Sequence, residues 1–368
     1  MTPDYAAYAN LLVNYCVSLK PGERLFLQST TLAAPLVKEI YRAALKVGGH
    51  CEFDLQLEGQ SEILMTEGND EQLAYIPTLY GKALTEFEAY INIRAPFSQR
   101  VPSPPADRAR IRREALQPIV KTYFERTGDL RLKRSLCIFP CEALAKEAGM
   151  TLEEYTAFVF KGCKLDQPDP RAAWLGVRAS QQRVVDHLNS CTEFRYVNDQ
   201  TDIRFTTKGR KWINSDGQTN MPSGEVYTSP EEDSVEGHIH FDYPAIRNGA
   251  EINGVTLQVK GGEIQSWTAE AGQDILDKTF EIPGTRRFGE AAIGTNYDID
   301  RFSKNMLFDE KIGGTVHMAI GQSYLQCGGK NESPVHWDMI ADMTKNGKIF
   351  ADGKIIYQNG QFLKELIG

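Results

Sequence analysis

Apolar positions at the start of the chain recur every three to four residues. Tyr5, Tyr8, Leu11, Leu12, Tyr15 and Leu19 share one helical face, and Pro21-Gly22 would end that helix. Thr2 followed by Pro3 is a favourable helix start. Short apolar runs then alternate with amphipathic stretches. The pattern predicts a strand over 24–28, a helix over 33–47 stopped by Gly48-Gly49, and a strand over 51–55. Helical stretches run to about Leu84, and a strand over 90–94 follows. This rhythm predicts an α/β domain with a mainly parallel sheet covered by helices. The proline-rich stretch 101–107 reads as a connector. The helix that follows, over 108–126, is rich in Arg and Lys, which read as a solvated face. Thr151 and Glu154 form a capping box for another helix, and an amphipathic segment near 171–188 closes the helical half.

From about Glu193 the period changes to two. Phe194 and Tyr196, Ile203 and Phe205, then Val235, Gly237, Ile239 and Phe241 alternate with polar residues. Asn359-Gly360 between two apolar runs predicts a type I′ hairpin. The second half therefore reads as a β-rich α+β domain. The expected division is an α/β domain over 1–180 and a β-rich domain over 181–368, and 368 residues suit two domains of ordinary size.

Composition narrows the function. The 49 acidic side chains outnumber the 41 basic ones, giving a formal charge of −8. That balance argues against nucleic acid as a partner, because phosphate contacts need clustered Lys and Arg. No apolar run approaches the roughly 18 residues that would cross a bilayer, so no membrane partner is expected. The first residues have no basic start and no long apolar run, unlike a signal peptide. The seven Cys are scattered without a Cys-x-x-Cys, which reads as reduced thiols and a cytoplasmic location. Cys137 and Cys141 lie four apart with Pro140 between them, which speaks against a shared helix face. The first strand runs into Ser29-Thr30-Thr31-Leu32 with no Gly-x-Gly-x-x-Gly, so a nicotinamide cofactor is not expected.

Four of the six His fall between 238 and 336, in the β-rich half, which points to a metal. In Ser333-Pro334-Val335-His336-Trp337-Asp338, a strand would turn His336 and Asp338 to one side, where both could reach one metal centre. Gly313-Gly314-Thr315-Val316-His317, with Gly321 and Tyr324 after it, lets the backbone pack closely beside His317; a satisfied core histidine is the plainer reading. Glu225 and Glu290 each follow a Gly. Glu290 has apolar neighbours, and a buried carboxylate there needs a partner such as a cation. His238-x-His240 also faces one way, but on the polar side of a half-buried strand with Glu236 and Asp242. The zincin helix, the Gly-x-Ser-x-Gly elbow and the phosphate loop are all missing from the sequence.

Five ordered segments resemble the aminopeptidase T/aminopeptidase S family of thermophilic-type metalloaminopeptidases. They are Asn220-Met-Pro-Ser-Gly-Glu225-Val-Tyr-Thr-Ser-Pro230, Phe288-Gly-Glu290-Ala-Ala-Ile-Gly294, Leu307-Phe-Asp-Glu-Lys-Ile-Gly-Gly-Thr-Val-His317, Tyr324, and Ser333-Pro-Val-His336-Trp-Asp338. Leu19-Lys-Pro-Gly-Glu23 extends the likeness into the first half. The resemblance implies metal ligands Glu225, Glu290, His317, His336 and Asp338, with Tyr324 acting in catalysis. It further implies two divalent ions, a homodimer with its active site in a large internal cavity, and peptide substrates with a free N-terminus. Three carboxylates and two neutral imidazoles are balanced by two divalent ions and one bridging hydroxide. The mixed ligand set suits zinc, cobalt or manganese. Water activated between two ions, with Glu290 bridging them, would attack the scissile carbonyl while Tyr324 donates to the developing oxyanion. Glu290 is a possible general base. Glu310 is read as a salt-bridge partner in preference to that role. Two rivals are a mononuclear Fe(II) ring-cleaving dioxygenase using His317, His336 and Asp338, and a non-catalytic metal-binding protein. Glu225, Glu290 and Tyr324 argue against the first, since a single-iron site has no need of them.

Overall fold

A computed structural model describes residues 3–99, 104–247 and 249–367. Thr2 and residues 101–103 of the connector lie outside the described residues. The first helix, Tyr5–Leu11, is capped by Asp4, whose Oδ1 accepts the Ala7 N–H at 2.9 Å, so Pro3 precedes the cap instead of opening the helix. The described residues form two compact units. One runs up to Arg171 and also takes Gly217–Pro222; the other comprises Ala172–Asp216 and the chain from Ser223 onward. The expected break at 180 and the observed one at Arg171 fall in the same helix. The helix Pro170–Asn189 passes through the break without interruption.

The first unit holds a five-stranded, all-parallel sheet in the order His50–Gln56, Arg24–Thr30, Ala89–Arg94, Lys133–Ile138, Asn220–Met221. Its inner strands are the apolar runs of the sequence, and Leu25, Phe26, Leu27 and Ile91 are fully buried. Parallel strands need crossover connections, which the helices between them provide. The basic helix spans Ala106–Gly128, and its face is not simply solvated. Arg108 Nε donates to Met65 O at 2.6 Å, Arg112 Nη1 to Leu73 O at 3.1 Å, and Arg126 to Leu84 O at 2.8 Å and Phe87 O at 2.7 Å. These carbonyls lie at the C-terminal ends of the helices Gln60–Glu67, Asp70–Ala74 and Thr78–Glu86, whose last carbonyls have no partner within their own helix. Arg110 keeps the solvated reading, paired with Glu114 at the surface.

The second unit contains an eight-stranded sheet and a five-stranded antiparallel sheet. The latter runs His336–Asp342, Thr315–Gly321, Phe288–Gly294, Glu225–Thr228, Ile213–Ser215. Val226, Ala291, Ile293, Val316, Met318, Ile320, Trp337, Met339 and Ala341 join the unit's hydrophobic core, and their alternation fixes which residues point the other way. The hairpin at Asn359-Gly360 forms, with both residues at positive φ as a type I′ turn requires. No helix among the described residues is long and apolar enough to cross a membrane.

Candidate metal centre

Pairing across the five-stranded sheet explains how distant residues meet. Glu290 lies opposite Ala319, which lies opposite Asp338. Tyr227 lies opposite Ala292, which lies opposite His317. Glu225 pairs with Gly294, and His336 with Gly321. Period-two alternation puts all of these on one face. The positions between the large side chains are Ala292, Gly294, Ala319 and Gly321, so the face is lined by small residues where the functional groups converge.

The distances follow from that register. His317 Nε2 is 3.5 Å from Glu225 Oε2 and 3.6 Å from Glu290 Oε1. His336 Nε2 is 3.0 Å from Glu290 Oε2 and 3.6 Å from Asp338 Oδ1. The structure therefore brings together all five nominated ligands. Glu290, His317 and Asp338 each offer a ligand atom within 4.8 Å of the other two. Gly289 makes this possible at a bulge between Phe288 and Glu290: a Cβ there would sit 2.2 Å from Gln322 O. The same Gln322 carbonyl takes His336 Nδ1 at 2.8 Å. A carbonyl can only accept, so Nδ1 carries a proton and Nε2 is the ring nitrogen directed at the carboxylates.

The electrostatics of the cluster suit a cation. Burial alone would lower the pKa of His336, but Asp338 and Glu290 override it and hold it at about 12. Burial likewise opposes charge on His317, and Glu290 and Glu225 raise it to about 9. Asp338 would rise on burial, yet the His336 charge holds it below the usual carboxylate range. Both imidazoles are thus driven to bind a proton where carboxylates crowd, and a metal would satisfy the same demand. Asp338 Oδ1 is buried without a hydrogen-bond partner, since His336 at 3.6 Å is beyond bonding range. Three carboxylates and two imidazoles fit a divalent ion of the zinc, cobalt or manganese type.

Tyr324 stacks obliquely on His336, with ring centroids 4.9 Å apart. Burial, and then the Glu290 charge, push its pKa well above the ordinary tyrosine value, so it stays a phenol. Its main-chain N–H donates to Ser229 Oγ at 3.2 Å, and that hydroxyl donates to Gly289 O at 2.7 Å. Three neighbours escape sequence reasoning. Tyr227 packs edge-on against Tyr324 at 5.3 Å; its place two residues after Glu225 on one strand was the available signal. Ser229 carried no signal. Neither did Lys311, whose side chain is wholly buried, bonded to Glu310 and 3.6 Å from Glu225 Oε1. Glu310 is thus in a salt bridge; burial raises its pKa and the Lys311 charge opposes the rise. His238 and His240 stand apart from the cluster, and His240 Nδ1 bonds Thr256 Oγ1 at 2.8 Å. Cys137 lies in a strand and Cys141 precedes a helix; all seven cysteines are unbridged.

Comparison with known proteins agrees with this chemistry. The thermophilic metalloprotease (M29) family model matches residues 2–362. Aminopeptidase 2 of Geobacillus stearothermophilus is 28% identical, covering 98% of this chain and 97% of its own. Aminopeptidase T of Thermus aquaticus is 29% identical over 50% of this chain and 51% of its own. The solved structure of wild-type AmpT from Thermus thermophilus has the same fold, with a TM-score of 0.82 at 20% identity over 98% of both chains. None of these matches is a ring-cleaving dioxygenase, and that reading has no support among them.

Proposed function

This chain belongs to the thermophilic metalloprotease (M29) family and is a metalloaminopeptidase; we propose that it removes the N-terminal residue of peptides at a dinuclear centre held by Glu225, Glu290, His317, His336 and Asp338. The observation that carries this reading is Glu290, whose two oxygens face two different imidazoles, Oε1 toward His317 and Oε2 toward His336. A carboxylate so divided is suited to bridge two ions. Bound zinc, cobalt or manganese would supply the Lewis acidity that activates water and polarises the scissile carbonyl. Glu290 is also placed to take the proton from the attacking water. Tyr324, kept as a phenol, donates its O–H to the oxygen that becomes negative. His336 is held by the Gln322 carbonyl and cannot turn away. The first unit is assigned to pairing in a homodimer, and the unbridged cysteines suit the cytoplasm.

The test is chelation followed by re-addition of zinc, cobalt or manganese to the full-length protein. Metal content and release of an N-terminal aminoacyl chromophore are both followed. Activity should vanish and return with two ions per chain. One iron per chain with no hydrolysis, or a Glu290→Gln variant with unchanged metal content and turnover, would refute the reading.

A further inference from the structure

The wholly buried ammonium of Lys311 has no part in the reaction as derived above. Burying a cation is costly unless it is paired, so its position calls for a reason. It bonds Glu310 and lies 3.6 Å from Glu225 Oε1. The other oxygen, Glu225 Oε2, faces His317 Nε2 at 3.5 Å. The two oxygens of one carboxylate therefore have different tasks. The arrangement is fixed by the main chain as well. Asn296 N–H donates to Lys311 O at 2.9 Å, and Asn296 Nδ2 donates to Ser223 O at 2.8 Å, two residues before Glu225. Thr295 N–H donates to Gly224 O at 2.9 Å. One short segment thus clamps the chain that carries Lys311 to the chain that carries Glu225.

We propose that Lys311 is a positioning residue for the metal centre: it holds Glu225 Oε1 on the outer side so that Oε2 alone is presented to a divalent ion. The proposal rests on the reading of Glu225 as a ligand. Groups that orient a metal ligand from behind commonly contribute about 10–100-fold to metal affinity. Orientation and charge act with opposite signs here. Removing the ammonium adds one net negative charge beside the site, which by itself would tighten cation binding. Weaker binding therefore reports lost orientation.

The experiment titrates the chelated full-length protein with zinc alone against a chromophoric competitor, and counts zinc per chain. Lys311→Met should weaken one of the two zinc sites about 10–100-fold while the other keeps its affinity. Lys311→Arg keeps the charge but not the single-point contact, so its loss should be smaller; it also serves if the methionine variant does not fold. Zinc binding as tight as the parent's, or tighter, in the folded variants overturns the proposal, because a purely structural lysine would lower thermal stability and leave affinity unchanged. Glu225→Gln separates the two levels of inference. If it binds zinc like the parent, Glu225 is no ligand and the underlying site reading fails. If it loses zinc while the Lys311 variants do not, only the role of Lys311 fails.

Discussion

A single hydroxyl and a single carboxyl show how burial sets chemistry at the scale of the residue. Tyr324 is half-buried beside carboxylates that resist a phenolate, so its proton is available to an oxyanion at neutral pH. Tyr324→Phe should lower kcat about 10²–10³-fold with zinc content unchanged; loss of zinc would make the residue structural instead. Asp309 is the second case. Its Oδ1 accepts from Ser303 N–H at 2.7 Å and Ser303 Oγ at 2.8 Å, but Oδ2 is buried without a partner. Burial pushes its pKa up to about 7, against the two Ser303 hydrogen bonds. An unfolded aspartate titrates near 4, so between about pH 4 and pH 7 the folded form binds the extra proton. The contribution to stability is complete below that window and is lost as pH rises through it, at about 1.4 kcal/mol per pH unit. Asp309→Asn lacks this titration and should therefore gain stability relative to the parent as pH rises from about 4 to neutrality, as urea unfolding at several pH values would show. Parallel pH curves would contradict the buried-acid account. Residue identity alone made His336-x-Asp338 legible, because strand alternation is a local rule. Lys311 was not legible: Glu310-Lys311 in a sequence looks like any surface ion pair, and only the fold buries it.

Secondary-structure elements carry the site through what they omit as much as through what they present. The face of the five-stranded sheet that holds the candidate ligands has Ala292, Gly294, Ala319 and Gly321 between its large polar side chains. Ala319 lies between Glu290 and Asp338 in the cross-strand row, so Ala319→Leu would put a branched side chain where those two carboxylates converge. Overpacking costs about 1–3 kcal/mol, which a unit with this core should survive. The expected result is a folded protein that no longer binds zinc; normal zinc binding would show that the small residues are incidental. The alternation of Ala and Gly with larger apolar residues was visible in the sequence, but the register was not, because the bulge at Gly289 shifts the pairing by one position. The basic helix Ala106–Gly128 teaches the opposite lesson. Its arginines looked solvated since nothing local reveals that three other helices end against them. Arg126 is the most buried of the three, at 6% exposed. Arg126→Met would leave the Leu84 and Phe87 carbonyls without their donor, at about 1–3 kcal/mol for each buried unpaired group. A clear fall in urea midpoint with unaltered zinc content is expected, and an unchanged midpoint would mean that water replaces the guanidinium.

At the level of the whole molecule, the sequence revealed two textures, helix-strand alternation followed by dense short strands, and both are present. It did not reveal that Gly217–Pro222 returns to the first unit. The helix Pro170–Asn189 keeps one amphipathic period across the break at Arg171, and the return of Gly217–Pro222 to the first unit rests on a two-residue strand, too short for any periodicity. That division has a thermodynamic consequence. Every nominated ligand, Glu225 through Asp338, belongs to the second unit. A cation that binds only the folded site stabilises that unit by mass action, about 2.7 kcal/mol when free metal stands at 100 times its Kd. The first unit receives none of this directly. Heating the protein in a calorimeter with zinc, and again after chelation, should therefore move the part of the transition that unfolds the β-rich unit. Hydrogen exchange on the strands Phe288–Gly294 and Thr315–Gly321 should quicken on chelation while Arg24–Thr30 keeps its protection. If chelation left both strands as slow as before, the buried carboxylates and imidazoles would be satisfying one another without a cation. The metal-centred account of the second unit would then be wrong.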